Sequence, residues 1–345
     1  MSIGAGATHR ALAAGLVAAC LAAWPGARAQ QQAPPPVPQR EKNEQAPQVF
    51  KVQVNLVNQF VTVRDKHNAI VADLVCPDAA KGTAGDFRVF EDGVEQKIES
   101  CTKEMNLPLT MAMLLDTSGS MDRMLSAEQE TASLFLERVM KKGDETTLIS
   151  FDQDADELTD FTGSVRELER GLSRARINEP YAPVTPGTVP DRAPRGTVFY
   201  DAIYLAAREK LSSQTGRKAI IVLTDAVDNG SRVRLEEAIE AAERTDAVVH
   251  ILLIADPGSF FSQGSGAGVA HKIAEETGGR MIEVKGAKRL AEAFEQIVEE
   301  LRSQYVVSYY PSNTTHDGRF RKVKIEVTRP DTKVLARKGY YAPKN

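Results

Sequence analysis

Apolar runs and helix-periodic stretches alternate through the middle of the chain. Residues 109–115 are almost continuously apolar, as expected of a strand that is covered on both faces of a sheet. Residues 125–141 place apolar side chains on one helix face and end in lysines before Gly143, a helix stop signal. Further strands are predicted at 146–151, 158–161, 219–223, 248–254 and 281–284, and further helices at 165–175, 198–211, 235–244, 267–277 and 287–302. This order predicts an α/β domain at 107–302 with a doubly wound, mostly parallel, Rossmann-like sheet.

Apolar residues with a period of two flank this domain on both sides. Residues 49–63 alternate in this way, and residues 87–98 contain an Asp-Gly pair that is typical of a hairpin turn. Three more strands are predicted near the C-terminus, at 305–309, 323–327 and 334–340. Because a small meander alone is marginally stable, we expect residues 303–345 to pair with an N-terminal β module at 49–104. The central domain would then be inserted into, or flanked by, one small β-sandwich; the alternative is a separate C-terminal module.

The N-terminus has the pattern of a secretory signal peptide at 1–29. His9 and Arg10 precede an apolar stretch at 11–24, and Ala-Arg-Ala at 27–29 is a small-x-small cleavage pattern. The protein is therefore expected to be exported, to the periplasm or beyond.

A spacer rich in Pro and Gln follows at 30–48, a composition typical of a disordered linker. An alternative interpretation of the N-terminus is a lipoprotein signal that would acylate Cys20. No segment approaches the roughly 20 apolar residues of a spanning helix, so no transmembrane span is predicted.

Composition limits the classes of partner. The 345 residues are 42% hydrophobic, which fits a globular protein, and the net charge is -4 from 43 basic and 47 acidic residues. This balance gives no electrostatic reason for binding nucleic acid or an anionic membrane.

The cysteines favour one disulfide. If Cys20 leaves with the signal peptide, Cys76 and Cys101 remain as a pair in an oxidising compartment. Two unpaired thiols are the alternative.

A carboxylate and two hydroxyls follow the first predicted strand of the central domain. Asp116, Ser118 and Ser120 form a D-x-S-x-S pentapeptide, and oxygen ligands at alternate positions suit Mg2+. Alone, the same residues could equally be ordinary turn and helix-capping residues.

Two later loops add oxygen ligands. Asp225 ends another apolar strand, and Thr197 lies just before a predicted helix. In a doubly wound sheet these positions meet at the carboxyl edge of the strands, where ligands bind. The sequence therefore predicts a cation site at this edge.

These five residues resemble the metal-ion-dependent adhesion site of von Willebrand factor type A domains, which uses D-x-S-x-S, a Thr and an Asp. The flanking stretches Phe-Arg-Val-Phe-Glu-Asp-Gly-Val-Glu-Gln at 87–96 and Arg-Lys-Gly-Tyr-Tyr at 337–341 resemble the bacterial secreted proteins described as VWFA-related. The resemblance implies Mg2+, with Mn2+ or Ca2+ as alternatives, and a partner protein that supplies a Glu or Asp to the metal. Ala226 departs from the pattern, because Gly is common at that position.

The expected function is a non-enzymatic binding or adhesion module. The alternative is a metal-dependent hydrolase that uses Asp116 and Asp225. Such an enzyme would need an activated nucleophile or a second metal shell, and the sequence contains neither a G-x-S-x-G nor an H-E-x-x-H motif.

Overall fold

A computed structural model describes residues 56–78, 83–104, 107–177, 196–254 and 266–344. The predicted signal peptide at 1–29, Cys20 within it, the linker at 30–48 and residues 49–55 of the N-terminal module lie outside the described residues. Among the helices of the described ranges, none is both long and apolar enough to cross a membrane.

Strands and helices alternate in the central region, as the apolar pattern predicts. The described strands are β1 (Val57–Asp65), β2 (Phe87–Glu91), β3 (Val94–Gln96), β4 (Ile98–Glu104), β5 (Leu109–Asp116), β6 (Glu145–Phe151), β7 (Ala155–Thr162), β8 (Arg217–Thr224), β9 (Ala247–Ile254), β10 (Met281–Val284), β11 (Gln304–Tyr309), β12 (Phe320–Val327), β13 (Thr332–Leu335) and β14 (Gly339–Tyr341). The described helices are α1 (Leu125–Val139), α2 (Val165–Leu172), α3 (Phe199–Leu205), α4 (Leu235–Arg244), α5 (Gly266–Thr277) and α6 (Ala287–Arg302). A 3-10 turn at Gly119–Met121 precedes α1, and α3 continues into a π-helical turn at Ala206–Leu211.

The central sheet has six strands in the order β10-β9-β8-β5-β6-β7. All neighbours are parallel except the edge strand β7, which runs antiparallel to β6. The predicted fold class, a doubly wound and mostly parallel sheet, is therefore confirmed. Strand β5 lies between β8 and β6, so its carboxyl end is near the middle of the sheet edge.

The two faces of β5 contact different helix layers. Ala112 and Leu114 belong to the core cluster that includes residues of α3, α4 and α5. Met111, Met113 and Leu115 belong to the cluster that includes residues of α1, α2 and α6. Because successive strand side chains point to opposite faces, a strand with helices on both sides must be apolar at nearly every position. This explains why β5 is buried along its whole length.

The flanking strands build two four-stranded sheets, ordered β13-β1-β11-β4 and β14-β12-β2-β3. N-terminal and C-terminal strands are mixed in both, because β11 lies between β1 and β4, and β12 lies between β14 and β2. One core cluster contains side chains of both sheets, including Phe87 of β2 and Tyr305 of β11, whose ring centroids are 5.0 Å apart. The two sheets therefore form a small β-sandwich, and the central domain lies between β4 and β11 in the chain.

Two segments change sheet where the sequence pattern predicts one continuous strand. Residues 334–340 were expected as one strand, but β13 pairs with β1 whereas β14 pairs with β12. Between them, the Lys338 N–H donates to the Glu276 carbonyl of α5 at 3.0 Å, so the chain packs on the end of that helix before joining the second sheet. The second strand of the predicted hairpin at 87–98 divides similarly, because β3 pairs with β2 whereas β4 pairs with β11. Strands that switch sheets in this way form the corners of a sandwich.

A disulfide joins Cys76 to Cys101 of β4, with the two Cα atoms 5.3 Å apart. The predicted pairing is confirmed. In the chain-entropy model, closing a loop with a sequence separation of 25 residues stabilises the fold by about 3 kcal/mol.

A buried carboxylate on α6 joins the sandwich to the central domain. Glu300, which is 1% exposed, accepts hydrogen bonds from Arg64 Nε of β1 at 2.8 Å and from Arg280 Nη1 at 2.6 Å. His250 of β9 lies 3.6 Å from the other Glu300 oxygen, and burial lowers the pKa of His250. The contact ties the first sandwich strand to the last central helix.

Candidate functional site

The first loop of the site begins where β5 ends. Asp116 is the last residue of β5 and is fully buried. Its Oδ1 accepts a hydrogen bond from the Ser118 N–H at 3.0 Å, and its Oδ2 accepts one from the Thr224 hydroxyl at 2.6 Å. The buried end of the strand and these two donors hold the carboxylate in one orientation.

The two serines of the first loop lie together. The hydroxyl oxygens of Ser118 and Ser120 are 3.0 Å apart, Ser118 is half-buried, and Ser120 is exposed. The Met121 N–H donates to the Ser118 carbonyl at 2.9 Å and closes the 3-10 turn before α1. The side-chain oxygens of the loop therefore extend from the buried Asp116 through Ser118 to the exposed Ser120.

The third loop follows β8 and is bonded to the first. Thr224, the last residue of β8, donates to Asp116 and accepts a hydrogen bond from the Ala226 N–H at 2.9 Å. Asp225 is half-buried, and its Oδ1 accepts from the Val227 N–H at 3.0 Å. Ala226 has φ 57°, in the left-handed region that Gly adopts more easily. The chain therefore makes this left-handed turn with Ala, the residue that departs from the expected Gly.

The second loop is fixed by the third and by the strand beside β5. Thr197 is half-buried and precedes α3, and its carbonyl accepts hydrogen bonds from the N–H groups of Asn229 at 3.2 Å and Gly230 at 3.1 Å. The next residue, Val198, donates its N–H to the Asp152 carbonyl after β6 at 2.7 Å. Hydrogen bonds thus connect all three predicted loops at the carboxyl edge of the sheet.

The first turn of α5 supports the third loop from outside. A Cβ added at Gly266 would lie 2.6 Å from the Asp225 carbonyl oxygen and 3.0 Å from the Ala226 carbonyl oxygen. Only a residue without a side chain permits this approach. Gly266 and Gly268 lie in the first turn of α5, and residues 264 and 265 before them lie outside the described residues.

The donor set suits a hard divalent cation. It consists of two carboxylates and three hydroxyls, the oxygen ligands that Mg2+ and Ca2+ take in proteins. Burial raises the pKa of Asp116 to about 6, and the charge of Asp225 adds to the rise, whereas hydrogen bonds from Ser118 and Thr224 oppose it. Ionised Asp116 therefore needs a positive charge, which a bound cation would supply as the largest local charge. The residues present fit such an ion.

In the ranges that the structure describes, no group of three or more His, Cys, Asp or Glu side chains could hold a metal ion.

Thr224, whose hydroxyl bonds the third loop to the first, was not predicted from the sequence. Its signal in the sequence was a hydroxyl at the end of an apolar strand, immediately before a predicted ligand.

Known proteins resemble this chain in the same region. A family model described as the von Willebrand factor type A domain matches residues 111–227. Calcium-activated chloride channel regulator 1 of Bos taurus is 24% identical over 279 residues, which are 76% of this chain and 28% of that protein. The chain thus spans less than a third of the length of this curated relative.

Two solved structures are similar to this chain over part of its length. A von Willebrand factor type A protein from Catenulispora acidiphila matches 86% of this chain and 76% of its own, with 12% identity and a TM-score of 0.45. Proximal thread matrix protein 1 from the mussel byssus, with zinc in its MIDAS motif, matches 61% of this chain and 49% of its own, with 14% identity and a TM-score of 0.46.

Proposed function

We propose that this chain, whose residues 111–227 match the model of the von Willebrand factor type A domain, is an exported, non-enzymatic binding module. The proposed site holds a divalent cation, Mg2+ in the first instance, through Asp116, Ser118, Ser120, Thr197 and Asp225. The cation in turn docks an acidic side chain of a partner protein.

The observation that carries this proposal is the bonding of three loops at one sheet edge. Asp116 accepts from Thr224, and the Thr197 carbonyl accepts from the backbone of the third loop. This bonding between the loops supports a preorganised cation site formed by the five oxygen-bearing residues.

The ligand chemistry supports docking. Three of the five proposed ligands are neutral hydroxyls, and five ligands leave an octahedral coordination position of Mg2+ open for a further anionic oxygen. The exposed Ser120 lies at the solvent side of the loop, where a carboxylate of a partner can approach. In this proposal a Glu or Asp of the partner completes the shell.

Calorimetric titration with Mg2+, Mn2+, Ca2+ and Zn2+ tests the cation site. Ser118→Ala removes one proposed ligand, and Asp122→Asn is the matched control, because Asp122 is an exposed carboxylate two residues beyond Ser120. We expect Ser118→Ala to weaken binding of the preferred ion by at least tenfold, and the control to bind as wild type does. Equal affinity of wild type and Ser118→Ala would refute the site.

Partner capture tests docking. The immobilised full chain is incubated with a cell-envelope extract, with Mg2+ or with EDTA. We expect a captured protein that EDTA releases and that Ser118→Ala does not capture. Capture that EDTA leaves unchanged would place the binding surface elsewhere.

A further inference from the structure

Glu128 of α1 carries a buried carboxyl. It is 0% exposed, and among the described residues neither of its carboxyl oxygens has a hydrogen-bond partner. Buried polar groups are nearly always hydrogen-bonded, and leaving one unsatisfied costs about 1–3 kcal/mol, more when the group is charged. The described protein atoms do not supply what this side chain requires.

The helix pattern would favour an apolar residue at this position. The buried residues of α1 recur along one face, and Glu128 lies on that face between Leu125 and Ala132. A leucine there would gain about 2 kcal/mol from burial, whereas an unpaired carboxyl is unfavourable. An acid in the first turn complements the helix dipole equally well from an exposed position, so the dipole does not explain its burial.

The surroundings of Glu128 lead to the cation site. It lies in the first turn of α1, directly after the loop that carries Ser118 and Ser120, and its N–H donates to the Met124 carbonyl at 2.9 Å. Burial raises the pKa of Glu128 to about 8, and the charge of Asp116 adds to the rise. Glu128 is thus a second buried carboxyl, and its charge interacts with that of Asp116.

We propose that Glu128 is an outer-sphere residue of the cation site, whose carboxylate would accept hydrogen bonds from the hydration shell of the bound cation. This inference rests on the proposed cation site. It assigns a function to the two carboxyl oxygens of Glu128, which no described residue hydrogen-bonds. Glu128 is a positioning residue, because it acts through the shell and not as a direct ligand.

Outer-sphere partners of metal sites typically contribute 10–100-fold to metal affinity. We therefore expect Glu128→Gln, which keeps the shape and removes the charge, to bind Mg2+ at least tenfold more weakly than wild type in calorimetric titration. In EDTA the same variant should be at least as stable as wild type to urea, because it no longer buries an ionisable group. A residue with only a structural role would not weaken Mg2+ binding while leaving stability in EDTA intact.

Two further variants distinguish an error in the role of Glu128 from an error in the cation site itself. Glu130→Gln is the matched control, since Glu130 is on the same helix but exposed, and it should bind Mg2+ as wild type does. Ser118→Ala removes a direct ligand. If Ser118→Ala loses Mg2+ binding while Glu128→Gln stays within twofold of wild type, the role of Glu128 is refuted and the cation site stands. If Ser118→Ala also binds normally, both proposals fail together. Loss of stability in EDTA by Glu128→Gln with unchanged Mg2+ affinity would equally overturn the inference.

Discussion

Replacing Asp116 by Asn should stabilise the protein when no cation is present. Burial raises the pKa of Asp116 from its ordinary 3.8 to about 6, so the ionised side chain opposes folding at neutral pH. At about 1.36 kcal/mol per pKa unit, this opposition amounts to about 3 kcal/mol. The amide oxygen of Asn can still accept from the Thr224 hydroxyl, but its NH2 group cannot accept from the Ser118 N–H, which costs about 1 kcal/mol. The net expectation is a gain of about 2 kcal/mol.

The stability advantage of Asp116→Asn over wild type depends on pH. Because the pKa of Asp116 is higher in the folded than in the unfolded state, the folded state of the wild type loses stability as pH rises from 3.8 through about 6. The advantage of Asp116→Asn is therefore full above about pH 6 and disappears as pH falls to 3.8.

Urea denaturation followed by circular dichroism, in EDTA at pH 7.5 and at pH 4, measures both effects. A saturating cation should reverse the order at pH 7.5, since a ligand at 100 times its Kd stabilises the wild type by about 2.7 kcal/mol and should leave Asp116→Asn unchanged. A variant that is less stable than wild type in EDTA at pH 7.5 would refute the electrostatic reasoning. An equal gain from Mg2+ in both proteins would refute the role of Asp116 as a ligand.

Two further predictions concern the supports of the site. Glu300→Gln leaves the buried Arg64 and the partly buried Arg280 without their carboxylate and should lower the free energy of unfolding by about 3–5 kcal/mol, measured by urea denaturation in EDTA. A loss below about 1 kcal/mol would contradict the buried pairing of Arg64 with Glu300. Gly266→Ala forces a methyl group against the carbonyls of the third loop, so it should lower the free energy of unfolding by about 1–3 kcal/mol and weaken Mg2+ binding. Gly268→Ala adds a methyl group at a position with nothing within 4 Å, so it should be neutral or stabilising. If Gly266→Ala and Gly268→Ala change the melting temperature and the Mg2+ affinity equally, close packing at Gly266 is refuted.

The central fold could be predicted because its signals are local. The inner strands β5, β8 and β9 contain long apolar runs, and helices follow in order, so topology rules leave few arrangements. Asp116 and Asp225 were predicted as ligands because each comes directly after such a run. The polar residue at a strand end is a signal that needs no knowledge of tertiary contacts.

The remaining features depend on distant contacts. A period of two identifies a strand but not its sheet, so the change of sheet between β13 and β14 could not be seen in the pattern. The partners of Glu300 are separated from it by up to 236 residues in sequence. Glu128 had a visible signal, an acid on the apolar face of α1, but its importance depends on burial that only the fold supplies.

The insertion of the central domain has a consequence for the order of folding. Glu104 of β4 is paired with Gln304 of β11, so the inserted segment leaves and returns at neighbouring strands. As an unfolded loop of about 200 residues, this segment would oppose that pairing by about 5 kcal/mol of closure entropy. Once the central domain has folded, its two ends are held near each other and most of this entropy has already been lost. The sandwich should therefore form last, and a chain that ends before β11 would leave the facing edges of β1 and β4 unpaired and open to aggregation.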